Sequence, residues 1–507
     1  MRNPEASKKN IVANFLGSGW NALMGLAFIP LYIHYLGMEA YGLIGAFALL
    51  QAWLALLDLG LAPTISREMA RFEAGAHTPQ SIRDLVCSVE WIYGLTAGAI
   101  ALGVMLAAPW FATNWLQAEK LSPATVADAL IIAGGVIAVR WLAGLYRSAI
   151  IGLQRQVWLS GCTAIFATLR GIGVVVILAW VSPTIQAFFV YQGLLFALEA
   201  LALAIQMRRL LPAPPQPARF RWQSLRQVWR FAAGMTVITL LSIVLMQVDK
   251  LLLSRLLPLT GFGYYILASS VVGALYMLIY PIHYVASPRL TELVTHGDTR
   301  ELVRSYHNFS QMLTLSLVPA ALVLSLFSDH ILLLWTRDVS ITAAVAPLVS
   351  LLAIGTMLNG LMHIPYTLQL AHGWTRLTVW INTVSLVVLV PAIYLGVSKY
   401  GVEAAAVVWI LLNAGYVIIG LPLMHRRLLP AEKWRWYGQD VLAPMCAALV
   451  PLLIIRVLTS PPVINKPFES VAALAVAAVT VLVAAILVTP FGRSQVRSYF
   501  RRVIQSQ

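Results

Sequence analysis

Apolar runs of about twenty residues follow one another along almost the whole of this 507-residue chain, broken only by short polar segments. A bilayer core roughly 30 Å thick takes about 20 apolar residues of helix to cross. Each run is therefore long enough to span. Only 11% of the residues are charged and 60% are hydrophobic, with a mean hydropathy of +0.79, whereas soluble chains carry about 25% charge. Lipid offers the backbone no hydrogen-bond partner, so the runs are expected to be helices, and the alternating pattern of a membrane barrel is missing. Hydropathy places spans at 11–35, 40–65, 85–108, 124–150, 157–181, 184–206, 231–257, 262–286, 308–328, 341–370, 375–397, 401–424, 438–458 and 469–490. The expectation is an all-α polytopic membrane protein with about 14 transmembrane helices.

The formal net charge of +15 invites a nucleic-acid reading, but the basic residues lie in alternate loops. Lys8, Lys9, Arg67, Arg71, Arg83, Arg155, Arg208, Arg209, Arg219, Arg221, Arg289, Arg300, Arg426, Arg427 and Arg493 fall on one side, against Lys120, Arg337, Lys399 and Lys466 on the other. The positive-inside rule then puts both termini in the cytoplasm and removes nucleic acid as a partner. The apolar run after the N-terminus is too long for a signal peptide, so the first helix is expected to stay as an anchor. Cys87, Cys162 and Cys446 sit singly in apolar runs and are expected to be buried small hydrophobes, neither disulfides nor ligands. No phosphate loop, zinc spacing or nucleophile constellation is present, so neither a catalytic site nor a cofactor is expected.

A shift of 221 residues brings the halves into register: Tyr41-Gly42 falls on Phe262-Gly263, Ser66 on Ser287, Gly152 on Gly373 and Arg155 on Arg376. An offset spanning six helices leaves both copies with the same orientation, the parallel repeat of transporters whose bundles rock about a central site. Four regions follow: 1–207 as the first lobe, 208–230 as a linker, 231–425 as the second lobe, and 426–507 as two further helices with a basic tail. The linker opens with the proline-rich Leu211–Pro217 segment. Phe220 to Phe231 interleaves arginines with apolar residues, which suggests an amphipathic helix on the cytoplasmic leaflet, an ordinary solvated loop being the alternative.

The stretch Tyr35-Leu-Gly-Met-Glu-Ala-Tyr-Gly42, then Leu57-Asp-Leu-Gly-Leu61 and Ser66-Arg-Glu68, resembles the opening of Wzx-type polysaccharide flippases. Val248-Asp-Lys250, Gly263-Tyr-Tyr265 and Ser287-Pro-Arg-Leu290 look like its second-half signature. The resemblance covers essentially the whole chain. It implies membership of the multidrug/oligosaccharidyl-lipid/polysaccharide exporter superfamily, with two pseudo-symmetric six-helix lobes around a central cavity. It also implies translocation of an undecaprenyl-diphosphate-linked oligosaccharide across the bacterial inner membrane for O-antigen, capsule or exopolysaccharide assembly, with a polymerase and chain-length regulator as further partners. Multidrug antiporters of the superfamily usually stop at 12 helices. Lipid II flippases have 14 but carry an arginine in the first, where residues 11–33 here have none. A membrane glycosyltransferase or polymerase would need a catalytic carboxylate in a sizeable outer loop, and the outer loops are short.

Charges at bilayer depth cost a few kcal/mol and normally face a cavity or a partner. Arg140, on a helix face shared with Gly144 and Arg147, and Arg170 are candidates for the diphosphate, because guanidinium meets phosphate oxygens bidentately. A salt bridge to Asp58 or Glu199 is the structural alternative. Lys250 and Arg255 are further diphosphate candidates, or cations that snorkel outward. Asp249 lies about 100° round the helix from Lys250 and need not be its partner. Asp58, Glu199 and Asp249 are candidates for ion coupling, with interhelical polar packing as the alternative. Tyr276, Tyr280 and His283 form one stripe, and Asn359, His363 and Tyr366 another, suited to sugar hydroxyls and C–H faces or to plain helix packing.

Overall fold

In the computed structural model the described residues are 4–213, 216–222, 226, 240, 243–244, 246–459, 461, 463 and 467–494. The first half contains α1 (Pro4–Ala27), α2 (Ile29–Leu36), α3 (Met38–Leu54), α4 (Leu61–Glu73), α5 (Pro79–Trp110), α6 (Pro123–Gly152), α7 (Gln156–Trp180) and α8 (Ile185–Leu210). The second contains α9 (Leu259–Gly273), α10 (Tyr276–His296), α11 (Thr299–Leu326), α12 (Ser328–Thr336), α13 (Val339–Leu361), α14 (His363–Ala371), α15 (Arg376–Tyr400), α16 (Glu403–Gly415), α17 (Leu421–Leu428), α18 (Ala443–Leu458) and α19 (Pro467–Val488). Among the described residues twelve helices are long and apolar enough to cross a membrane, and α9 with α10, bent by 44°, makes a thirteenth span. The span expected at 231–257 lies partly outside the described residues, and most of the amphipathic helix expected at 220–231 does. The protein is thus all-α and multi-pass. The 221-residue offset carries Met38, which opens α3, onto Leu259, which opens α9.

The chain divides into two compact units, Met1–Gly263 and Tyr264–Gln507. In the first, α6 packs against α5, α8 and α4. The shared core is Ile82, Leu85, Val89 and Tyr93 with Leu145, Ala149, Leu203 and Met207. Opposite faces stay apolar too, as at Leu95, Leu102, Ile165 and Leu169, because lipid is as good a solvent for them as protein. Helix association then depends on close contact, and two glycines set the closest approaches. A Cβ on Gly152 would lie 2.2 Å from the Ser66 carbonyl oxygen, and one on Gly42 would lie 2.2 Å from that of Leu259 and 3.3 Å from the Gly263 nitrogen. The second span breaks after the 3₁₀ turn Ala55–Asp58, where Leu59 and Gly60 take φ of 49° and 72°. Asp58 Oδ2 accepts the Ala62 N–H at 3.1 Å, restarting the chain as α4, and Tyr93 donates to Oδ1. Glu39, also buried, accepts the N–H groups of Glu119 and Lys120 at 2.7 and 2.9 Å, tying down the loop before α6.

The proline-rich segment is not free. Gln80, Asp84 and Ser88, one stripe of α5, accept the backbone N–H groups of Gln216, Arg219 and Arg221 at 3.1, 3.0 and 2.8 Å. Arg83 donates to the carbonyls of Leu211 and Pro212 at 2.6 and 3.1 Å. The connector is therefore strapped along the first helical turns of α5.

In the second unit α11 packs against α10, α13, α18 and α19. His307 on α11 lies between carboxylates, with Nδ1 on Asp440 and Nε2 on Glu432 at 2.8 Å. Gln311 donates to Asp440 at 2.8 Å and accepts the Phe491 N–H at 2.9 Å. Arg456, in the last turn of α18, reaches Asp329 at 2.7 Å. The two C-terminal helices are thus pinned to α11 by the buried Gln311 and Asp440 and to α12 by the half-buried Arg456–Asp329 pair.

The 44° bend falls at Ala274–Leu275, ahead of Pro281. Pro30, Pro63 and Pro365 stand in the first turn of α2, α4 and α14, where the missing N–H has no intrahelical partner to lose. One expectation changes. The cysteines are unpaired, but Cys446 is exposed and Cys87 and Cys162 are half-buried, since an apolar run in lipid need not be buried in protein.

Gly42→Ala should cost roughly 1–3 kcal/mol, because a backbone carbonyl cannot give way to a methyl; an unchanged melting temperature of the purified protein would contradict the contact. His307→Ala strands two carboxylates and should lower the same melting temperature more than Ser316→Ala on the same helix does.

Candidate functional site

Three arginines on two helices of the first unit converge on two residues of a third, Phe196 and Glu199. Glu199 of α8 is buried at 1% exposure. Its Oε1 accepts from Arg147 Nη2 at 2.7 Å and its Oε2 from Arg170 Nη1 at 2.5 Å. The Arg140 guanidinium lies 4.3 Å from the centroid of Phe196, and that of Arg170 lies 4.4 Å from the same ring. Spacing explains the convergence. Arg140 and Arg147 are seven apart on α6, and Phe196 and Glu199 three apart on α8, so each pair shares a helix face. The sequence alternative of a salt bridge to Glu199 is realised for Arg170, with Arg147 as the second partner. Asp58 meets Tyr93 and the α4 backbone instead. Among the described residues Arg140 makes no ion pair.

Three guanidiniums against one carboxylate leave a local surplus of two positive charges. An isolated pair needs no such surplus, and each unmatched cation costs free energy in the absence of an anion. The arrangement suits a group carrying at least two negative charges and several acceptor oxygens, which fork-shaped donors hold bidentately.

The other cationic candidates are engaged away from this cluster. Lys250 Nζ lies 3.4 Å from Asp249 Oδ2, so its flexible stem closes the 100° that separates them on the helix. Arg255 donates to the Asn114 carbonyl and lies 5.8 Å from the Trp115 ring, in the segment where Trp115 also bonds Ser254 at 3.1 Å.

The second unit gathers aromatic and amide groups. Tyr276 stacks on Tyr280 at 5.5 Å and donates to Asn359 Oδ1 at 3.2 Å. His363 meets Tyr280 and His283 edge-on at 6.2 and 6.0 Å. Asn359 donates to Asn413 at 2.9 Å, and His283 Nδ1 lies 2.8 Å from Thr367 Oγ1. Five of the six residues expected to face sugar are therefore contiguous. Tyr366 is exposed on α14 and makes no ring contact with them among the described residues. Phe196 and Asn413 escaped the sequence reading. Phe196 was discoverable as an aromatic one turn before a membrane-embedded glutamate, whereas Asn413 lacks any comparable signal. Among the described residues no group of three or more His, Cys, Asp or Glu could hold a metal ion.

The family model described as "Polysaccharide biosynthesis protein" matches residues 7–294, more than half of the chain. The chain belongs to that family. A second model, described as MatE, matches residues 235–395. Together they confirm the expected kinship: this is a Wzx-type member of the multidrug/oligosaccharidyl-lipid/polysaccharide exporter superfamily and a membrane transporter. The family match spans the whole arginine cluster and the Tyr276–His283 stripe. A Shigella flexneri protein described as "Putative O-antigen transporter" is 22% identical over 411 residues, covering 79% of this chain and 93% of its own. The fold is similar to that of the lipid II flippase MurJ in an inward closed conformation, with a TM-score of 0.67, 13% identity, and coverage of 94% of this chain and 98% of that one. It also resembles an inward-facing multidrug resistance MATE family transporter, with a TM-score of 0.65, 12% identity, and coverage of 82% and 96%.

Glu199→Ala leaves the half-buried Arg170 without its counter-charge. It should destabilise the transporter by roughly 2–4 kcal/mol, below the loss for a fully buried pair because Arg147 is half exposed. A melting temperature within one degree of wild type would show that the carboxylate is not needed to hold the arginines.

Proposed function

We propose that this transporter flips an undecaprenyl-diphosphate-linked oligosaccharide from the cytoplasmic to the outer leaflet of a bacterial inner membrane by alternating access. The observation that carries the proposal is the surplus of guanidinium around Glu199 in membrane-spanning helices. A diphosphate supplies the charge and the oxygens that this surplus lacks. Arg140 and Arg170 are the principal binding groups, with Arg147 beside them. The paired Lys250 and the loop-bound Arg255 are secondary. The Shigella flexneri relative, named for O-antigen, supports a sugar on the lipid, as does the tyrosine, histidine and asparagine cluster of the second unit. Stacking faces and amide or hydroxyl groups are what a pyranose needs.

Glu199 is the favoured coupling carboxylate. A diphosphate that takes Arg147 and Arg170 frees it to bind a proton or cation, whereas Asp58 is committed to a helix start. The excess of basic residues in alternate loops supports a cytoplasmic side for both termini. O-antigen, capsule or exopolysaccharide assembly is the setting, with a polymerase and a chain-length regulator downstream. No chemical step on the substrate is assigned to the chain.

Arg140→Ala and Arg170→Ala, at wild-type membrane levels, should each fail to restore surface polysaccharide to a strain lacking its flippase, with at least about tenfold loss. Full restoration by both variants would overturn the diphosphate assignment. Drug resistance conferred by overexpression, without that restoration, would point instead to an antiporter.

A further inference from the structure

Phe196 holds two cations at once. Its ring centroid is 4.3 Å from the Arg140 guanidinium carbon and 4.4 Å from that of Arg170. The two carbons are therefore within about 9 Å of one another. Like charges at this range repel, and long arginine side chains otherwise swing apart. A carboxylate could hold them together, as Glu199 does for Arg147 and Arg170, but it would cancel their charge and occupy their N–H groups. An aromatic face attracts a guanidinium without doing either. The planar cation lies over the ring, and its in-plane N–H donors stay available at its edges. Arg170 spends one of them on Glu199. Among the described residues Arg140 spends none.

α8 thus carries two kinds of anchor one turn apart. Glu199 fixes Arg147 to Arg170 by charge, and Phe196 fixes Arg170 to Arg140 by its π face. Arg170 belongs to both, which links the three guanidiniums into a row of set spacing. A monophosphate offers one phosphorus centre and satisfies one guanidinium of the row bidentately. Two bridged phosphates offer a centre to each of two.

We propose that Phe196 is the positioning residue of this site: by fixing the separation of Arg140 and Arg170 it selects a prenyl diphosphate over a prenyl monophosphate. The proposal rests on the assignment of the arginine cluster to a diphosphate. It adds a residue that touches no substrate and acts through the two arginines.

The test uses the full-length protein in nanodiscs, with undecaprenyl monophosphate and undecaprenyl diphosphate as probes and the ratio of their dissociation constants as readout. Wild type should favour the diphosphate by about tenfold or more. Phe196→Leu keeps an apolar side chain but removes the π face. It should cut that ratio by about three- to tenfold, mainly by weakening the diphosphate. Phe196→Trp keeps a π face and should retain the preference, a rescue that simple space-filling does not predict. Should Phe196→Leu fail to fold, Phe196→Met gives the same readout. An undiminished ratio in a folded Leu or Met variant overturns the role of Phe196, while Arg140→Ala and Arg170→Ala still lose the diphosphate. Wild type that shows no preference, with the arginine variants binding as it does, overturns the diphosphate assignment itself and the role of Phe196 with it.

Discussion

A bilayer supplies no hydrogen-bond partner to the backbone, and this one constraint dictates where the buried polar side chains of the protein must stand. An unbroken helix satisfies itself. Wherever the chain departs from helix, a donor or acceptor has to come from elsewhere, and at several departures here a side chain supplies it. Asp58 takes the first N–H groups of α4 just after the left-handed pair Leu59 and Gly60. Glu39 takes those of the 119–121 turn. Gln80, Asp84 and Ser88 take those of the connector, and Gln311 takes that of Phe491 beyond α19. Glu39, Asp84, Ser88 and Gln311 are buried while serving the backbone, so burial and charge alone do not mark a transport site.

The arginine cluster is set apart by its bookkeeping of charge. Around His307 the carboxylates Asp440 and Glu432 enclose a group that can itself become cationic, and Glu432 also meets Arg435 at 3.5 Å. Around Asp329 one carboxylate meets one guanidinium and one imidazole. Those ensembles are close to balanced and join helices. Around Glu199 the excess is uncompensated by any protein anion among the described residues. That excess is what the proposed diphosphate would neutralise.

Much of this was legible in the sequence. Spans, the charge asymmetry of loops and the 221-residue repeat rest on period and composition, which survive without coordinates. Arg140, Arg170 and Glu199 were legible because a charge inside an apolar run is conspicuous. What the pattern could not supply was pairing, since Arg170 and Glu199 lie on different helices and their meeting depends on how α7 and α8 pack. Phe196 was passed over because its one signal was its place a turn before Glu199, and a phenylalanine by itself in a membrane helix looks like every other. The bend at Ala274–Leu275 was missed because proline, the usual signal, stands elsewhere. The residues that carry the family resemblance also proved largely architectural. Glu39, Gly42 and Asp58 hold loops, crossings and helix starts, and Glu68 is buried against His77 at 2.7 Å.

The repeat is kept at a few backbone positions, Gly42 falling on Gly263 and Gly152 on Gly373, whereas the polar framework residues Glu39 and Asp58 fall on Thr260 and Ile279. The candidate site residues are not kept either. Arg140, Arg147, Arg170, Phe196 and Glu199 fall on Leu361, Leu368, Pro391, Val417 and Gly420. In the other direction Tyr276, Tyr280, His283, Asn359 and His363 fall on Ala55, Leu59, Ala62, Ala138 and Leu142. Each half has therefore placed its polar cluster where its counterpart is apolar or has no charge. Two copies of one bundle would otherwise present the same chemistry twice. The first unit thus gathers guanidiniums and the second tyrosine, histidine and amide groups, so the halves differ in side-chain chemistry.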